Sequence, residues 1–531
     1  MNTKEYYAGK VNDFNNGEMK TVSVNGSEIL LCKVDDTFSA FTAHCTHYGA
    51  PLSEGVLSGD RIVCPWHHAC FNAKTGDLLE PPARDSLPIY EVRVDGGNIY
   101  VALPEELITS RLPNMAKRNI RKDKRTFIII GGGAAGEVAA QTLREDGFEG
   151  KLIMVTQENH APYDRPNLSK DYLAGDAEES WMPLRSESFY KVYGIDIMFN
   201  KKVSGVNFKD NSIEFNSGEI LKYDKLLITA GSIPRKLDMP GENLKNVFTL
   251  RSFDDTQRII DASKNASKAV IIGASFIGME TAYSLNKRGI DVTVISMEEI
   301  PFQKVFGRDV GKLFRELHEE IGVKFRLSLT LKEFAGNEKV EAVVLQSGER
   351  IEADLVIMGV GVKPATDFLH NLKLLPDGSV KVNAYLQINE DVFAAGDIVT
   401  LPDWRTGEDI RIEHWRTAEQ QGRIAAHNMV GKLTPFRSVP FFWTSQVGLS
   451  LSYVGHAVDW EEIIIQGDIN SKEFITFYIK NDKVVAAAGN FRDKEMAAIE
   501  ELMRLDLMPS PEMLKLNSVN LLKLLEEQVV S

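Results

Sequence analysis

Cysteine is the scarce residue of this chain. Four occur among 531 positions, Cys32, Cys45, Cys64 and Cys70, and none follows residue 70. The long remainder therefore has no redox disulfide, no thiolate nucleophile and no cysteine-bound cluster of its own. That excludes a dithiol-relay enzyme and a multi-cluster iron–sulfur assembly within this chain. Long apolar runs are missing too. None approaches the roughly 20 residues needed to span a bilayer. The opening stretch, MNTKEYYAGKVNDFNN, has no basic region leading into an apolar core and is not an Arg-rich presequence. A cytoplasmic protein with no membrane span is the expectation. Positive charge is in deficit: the formal net charge is −14, which argues against a nucleic-acid partner.

What is present is ordinary for a globular protein, with 43% hydrophobic and 26% charged residues. The length predicts roughly three or four domains. The stretch from Phe127 to Gly136, FIIIGGGAAG, sets the organisation. Four apolar residues run into a glycine cluster, and a helical pattern (EVAAQTLRE) follows. This predicts a buried strand, a tight turn at Gly131, close phosphate approach at Gly133 and helix packing at Gly136. The bare helix N-terminus would offer N–H groups and a positive dipole end to a pyrophosphate. Glu158 follows about 20 residues later, where a carboxylate can hold a ribose hydroxyl. A second unit, KAVIIGASFIGMETAYSLNKRGIDVTVIS, repeats the form with Gly273, Ser275 and Gly278. Two such units predict two dinucleotide sites.

The first hundred residues lack helical periodicity and read as short strands with hairpin turns, among them Asn25-Gly26. Two loops there each carry one Cys and one His: Cys45-Thr46-His47 and Cys64-Pro65-Trp66-His67. A zinc tetrahedron would accept the same donors, and buried cysteines beside incidental histidines are the plain alternative. One Cys and one His per loop suits a pair of irons, with the thiolates on one iron and the imidazoles on the other.

HCTHYGAPL followed by VCPWHHACF resembles the Rieske ferredoxin signature. The resemblance implies a 2Fe-2S cluster held by Cys45, His47, Cys64 and His67. His68 departs from the family's glycine and is expected at the surface. Ala50, Trp66, Ala69 and Phe71 stand where high-potential Rieske proteins carry disulfide cysteines and hydroxyl donors. Their absence implies a potential near the low end of the Rieske range, about −150 mV. Cys70 is expected to be a small buried hydrophobe.

Past Glu158, HAPYDRPNLSKDYL resembles the PYxRPxLSK segment of NAD(P)H-dependent flavoprotein ferredoxin reductases. That resemblance implies Arg165 at the flavin phosphate and Lys170 at the reactive ring edge, with Ala230 and Gly231 closing over the flavin. Gly396-Asp397 matches the family's GD motif, the Asp accepting from the ribityl chain. This distant third piece favours FAD at the first site. Glu280 matches a family acid that pairs with the lysine at Lys170, and Gly361 lies in the turn that closes the nicotinamide pocket. Trp415 could lie against the flavin or nicotinamide ring, or simply pack in the core. FFWT resembles the stretch of the family's C-terminal domain that approaches the flavin, making Trp443 a lid or electron-exit candidate. Candidate catalytic residues are thus Lys170, Glu280 and Trp415.

The ribose-reading position of the second unit holds Ser296. Glu298, two positions later, is read as its substitute, and a nearby Arg to pair a 2′-phosphate is lacking. NADH is favoured, with NADPH possible.

The implied architecture is multidomain. An all-β Rieske domain (1–103) and a basic linker (104–124) precede two Rossmann-like α/β domains. The FAD domain is split (125–250 and 385–435) around an NAD(P)H domain (251–384), and an α+β interface domain (436–531) ends the chain. The order resembles Rieske-containing members of the apoptosis-inducing-factor-like flavoproteins, of the ferredoxin-reductase type. The implied activity passes electrons from NAD(P)H through FAD to the cluster and on to a protein or small-molecule acceptor. The alternative is a redox-sensing or signalling protein with slow turnover. A homo-oligomer is compatible with either.

Overall fold

The computed structural model describes residues 3–529. The N-terminal part is built on a six-stranded antiparallel sheet. Its strands run, edge to edge, Thr3–Lys10, Asn98–Pro104, Ile89–Asp95, Thr37–Thr42, Ser27–Val34 and Glu18–Val24. Asn25 and Gly26 both adopt positive φ, 51° and 80°, the geometry a type I′ hairpin requires. A smaller four-stranded sheet (Val56–Ser58, Arg61–Val63, Cys70–Asn72, Leu78–Glu80) carries the second Cys/His loop at one end. Residues 105–125 then cross to the next domain without regular structure. They are tied down on the way, the Ala116 amide donating to the Arg144 carbonyl and the Asn119 amide to that of Glu149.

Two five-stranded parallel sheets follow. The first is ordered Ile195–Met198, Lys151–Val155, Thr126–Ile130, Lys225–Ile228, Val392–Ala394. Its last strand comes from far downstream, so the domain is closed by two separated segments. The second is ordered Val247–Thr249, Leu355–Met358, Lys268–Ile272, Asp291–Ile295, Lys324–Arg326. Near-continuous apolar runs make these strands because both faces are buried; in the second sheet one face lies under helix Phe276–Lys287 and the other under the antiparallel strands Leu331–Gly336 and Val340–Leu345.

Each glycine motif does the same mechanical work. Gly131 has φ +115°, and a Cβ there would fall 2.2 Å from the Thr229 carbonyl oxygen; a Cβ on Gly136 would lie 2.0 Å from the Gly131 oxygen. The helices that start there, α1 (Ala134–Glu145) and α2 (Phe276–Lys287), have no side-chain cap. Their first N–H groups are left free for a ligand.

Helix α3 (Trp415–Met429) packs along α1. The chain ends on a five-stranded antiparallel sheet that begins with Phe441–Gln446, crossed by helix α4 (Asp493–Arg504). Val56, Val63 and Cys70 of the N-terminal domain share one apolar cluster with Phe441, Ile499 and Leu502 of this last domain. Cys70 is fully buried there. Among the described residues no helix is long and apolar enough to cross a membrane.

Candidate functional site

The two Cys/His loops meet. The sulfurs of Cys45 and Cys64 lie within hydrogen-bond reach of each other. The Nδ1 atoms of His47 and His67 face each other at 3.1 Å. Burial, followed by the neighbouring cations, holds both imidazoles well below their ordinary pKa, so each stays neutral with a nitrogen lone pair to give. The amides of His47 and Tyr48 donate to Cys45, and those of Trp66 and His67 to Cys64. Among the described residues, no three His, Cys, Asp or Glu side chains converge on one metal position. A mononuclear zinc site needs three or four. A pair of irons, each taking two protein donors, fits a thiol pair and an imidazole pair.

His68 corrects an expectation. It is fully buried rather than at the surface, its ring 4.1 Å from that of Phe441 and its Nδ1 paired with Glu500. The loop tip is not free: it is packed on the C-terminal sheet, so the residue after His67 faces protein instead of water.

A cavity of about 880 Å³ runs from the first glycine turn to Trp443. Gly131, Gly133, Glu158, Arg165, Lys170 and Ala230 line it, as do Gly231, Ser275, Glu280, Gly361, Gly396, Asp397, Trp415 and Trp443. Gly136, Gly273 and Gly278 do not; they act beneath it, where a Cβ would strike backbone at 2.0–2.3 Å. Glu158 receives hydrogen bonds from Tyr163 (2.6 Å) and Arg165 (2.9 Å). Burial opposes its ionisation, but Arg165 and Tyr163 outweigh it and hold the carboxyl below its ordinary range. Asp397 accepts from Ser232 Oγ (2.6 Å) and from Arg251 (3.0 Å).

Lys170 and Glu280 pair at 3.0 Å. Glu280 is buried and also accepts from Ser169 Oγ (2.6 Å) and Thr444 Oγ1 (2.7 Å). Three segments of the chain thus converge on one carboxylate. Trp415 opens α3 at the cavity wall, half-buried. Trp443 lines the same cavity, and its ring centroid lies 4.4 Å from that of His67 and 6.4 Å from that of His47.

Glu298 stands apart from the cavity, its carboxylate on Lys304 at 2.9 Å and its amide on Ser296 Oγ. The expectation of no nearby arginine is corrected: Arg326 lies directly across from Ile295 on the neighbouring strand, its guanidinium turned to Glu349 at 3.5 Å. Parallel pairing of distant strands brings it there. Sequence reasoning also passed over Ser169 and Thr444, which stand inside the PYxRPxLSK and FFWT stretches, and Arg251, which has no motif of its own.

This fold and site define a class: a nicotinamide-dependent flavoprotein reductase with a Rieske domain on the same chain. Comparisons with known proteins agree. The pyridine nucleotide-disulphide oxidoreductase family matches residues 125–422, the Rieske [2Fe-2S] domain residues 4–91, and the reductase C-terminal domain residues 441–525. Human apoptosis-inducing factor 3 is 37% identical over 93% of this chain and 83% of its own length. The ferredoxin–NAD(+) reductase component of 3-phenylpropionate/cinnamic acid dioxygenase from Photorhabdus laumondii is 35% identical over 71% of this chain and 96% of its own. Among solved structures, the covalent putidaredoxin reductase–putidaredoxin complex superimposes with a TM-score of 0.72 at 28% identity, covering 76% of this chain and 98% of that one. The chain belongs to the pyridine nucleotide-disulphide oxidoreductase family. It is a ferredoxin-reductase-like NAD(P)H oxidoreductase whose cofactors are FAD and a Rieske 2Fe-2S cluster.

Proposed function

We propose that this protein carries electrons from NADH through FAD to its own Rieske cluster, and from there to a ferredoxin-type or other one-electron protein acceptor. Bound together, the three groups supply hydride donation, pair-to-single electron conversion and one-electron relay. In this reading Cys45 and Cys64 hold one iron, and His47 and His67 the other. The uncapped start of α1 and the Gly131–Gly133 turn receive the flavin pyrophosphate, Glu158 the ribose, Arg165 a phosphate, and Asp397 the ribityl chain. Ala230, Gly231 and Gly396 close on the same ligand. The second turn, with Gly273, Ser275 and Gly278, receives the nicotinamide nucleotide, with Gly361 closing its pocket. NADH is favoured over NADPH by the relatives named as ferredoxin–NAD(+) reductases, while Glu298 lies outside the cavity with its carboxylate on Lys304.

The chain's own residues orient and exclude. Glu280 fixes the Lys170 ammonium at the ring edge, and its own charge is held by two hydroxyls. Trp415 and Trp443 wall the cavity against water. The carrying observation is Trp443, which lines the cavity and touches His67. Replacing Cys64 with serine tests the route. Flavin should still bleach with NADH while turnover with a one-electron protein acceptor collapses. Undiminished acceptor turnover would show that electrons leave the flavin by another path.

A further inference from the structure

The N-terminal domain meets the reductase through buried charges, and for one pair of reductase carboxylates the contacting cation comes from the N-terminal side. Arg84, on the N-terminal domain, is enclosed between α1 and α3. Its Nε donates to Glu137 at 3.2 Å and its Nη2 to Glu419 at 2.8 Å. Both carboxylates are buried, at 1% and 0% exposure. Among the described residues they have no cation in contact apart from Arg84, and each keeps one oxygen without a partner. The Arg84 carbonyl in turn accepts from Gln141 (2.9 Å) and Arg185 (2.8 Å). The mirror arrangement lies beside it. Arg416 on α3, also buried, donates to the carbonyls of Pro81 (2.9 Å) and His68 (2.8 Å) and to Glu80 at 3.3 Å, and it is closed from behind by Glu500 at 2.7 Å. Gln420 adds a bond to Glu80 at 2.6 Å. Tyr48, stacked on His47 at 4.0 Å, reaches Asp164 of the flavin-side segment. The apolar cluster shared by Cys70 and Phe441 completes the contact.

A tethered domain that swings out to deliver electrons needs a surface that can be wetted and released cheaply. Here separation would have to rehydrate an apolar cluster and break several charge-assisted bonds at once, which are the stronger kind of hydrogen bond. The histidine edge of the cluster loops turns toward Trp443, with His47 and His67 half-buried.

We propose that the Rieske domain is a permanently docked acceptor, pinned by Arg84 and Arg416 as positioning residues. Each chain then reduces its own cluster, and a separate carrier does not reach the flavin edge. This rests on the electron route proposed above.

The holoprotein is mixed with NADH over a wide range of protein concentration and solvent viscosity, and flavin bleaching and cluster reduction are followed separately. Cluster reduction is expected to be independent of both. Arg84→Met removes the one cation in contact with the buried pair Glu137 and Glu419 among the described residues. It should shift the docking equilibrium about a hundredfold toward the open form, equivalent to about 3 kcal/mol. Small-angle scattering should show an extended particle, and cluster reduction should become sensitive to viscosity, with flavin bleaching unchanged. Arg84→Lys should restore part of the effect.

A second measurement needs no variant in the interface. A protease site placed after Glu106 is cut in the folded holoprotein, and the two fragments should co-elute at micromolar concentration. Fragments that separate, or a wild-type cluster rate that rises with protein concentration, would overturn the docking. Co-eluting fragments whose cluster never accepts electrons from NADH would instead overturn the route and leave the docking standing.

Discussion

Replacing Lys170 with methionine keeps the length of the side chain and removes its charge. Glu280 would then sit buried with two hydroxyl donors, Ser169 and Thr444, and no cation. Breaking one side of a buried pair costs about 3–5 kcal/mol. A carboxylate can escape by taking a proton, which for a free glutamate at neutral pH costs about 4 kcal/mol, so the structural loss is bounded near that figure. The kinetic consequence is separate. Loss of one oriented donor from a reaction centre typically slows the chemical step about 10²–10³-fold. Anaerobic stopped-flow mixing at saturating NADH measures the limiting rate of flavin bleaching. The expected result is a fall of about 10²-fold with an unchanged cluster spectrum. A limiting rate within about twofold of wild type, together with a lowered unfolding midpoint, would refute the reasoning. It would show that the pair only clamps three segments together.

Trp443→Leu should slow cluster reduction while leaving flavin bleaching intact, and equal cluster rates in the two proteins would remove the indole from the route. Gly136→Ala places a methyl 2.0 Å from the Gly131 carbonyl oxygen, so the variant should purify with little or no flavin absorbance; full flavin content would show that the turn can yield. Burial, beside Glu137 and Asp164 and only partly offset by Arg84 and Arg416, pushes the Glu419 carboxyl up from 4.5 to about 8. The native state then holds a proton that the unfolded chain releases, so stability falls as pH rises through that window. Glu419→Gln should flatten the fall, and parallel pH profiles for the two proteins would contradict it.

What the sequence made legible was local. Each glycine motif announces its own strand, turn and helix within a dozen residues, and each Cys/His loop carries its donors two or three positions apart. The split of the flavin domain could also be read, because Gly396-Asp397 repeats a recognisable form. The contacts between domains had no such signal. Arg84 and Glu419 are 335 positions apart, and His68 and Glu500 are 432 apart. Nothing in either neighbourhood marks a buried partner. His68 was misread for that reason: on an isolated loop tip it would face water, and only the C-terminal sheet turns it into a core residue. Arg326 escaped notice similarly, since the parallel crossover that sets it beside Ile295 joins strands with a full helix between them.

The claim on which the rest depends is that electrons entering from NADH reach the iron pair of the same chain. An anaerobic titration of the purified holoprotein with NADH, followed by low-temperature electron paramagnetic resonance, tests it directly. The rhombic signal of a reduced, histidine-ligated 2Fe-2S centre is expected to grow in proportion to the nucleotide added. A flavin that bleaches fully while that signal stays absent would contradict it.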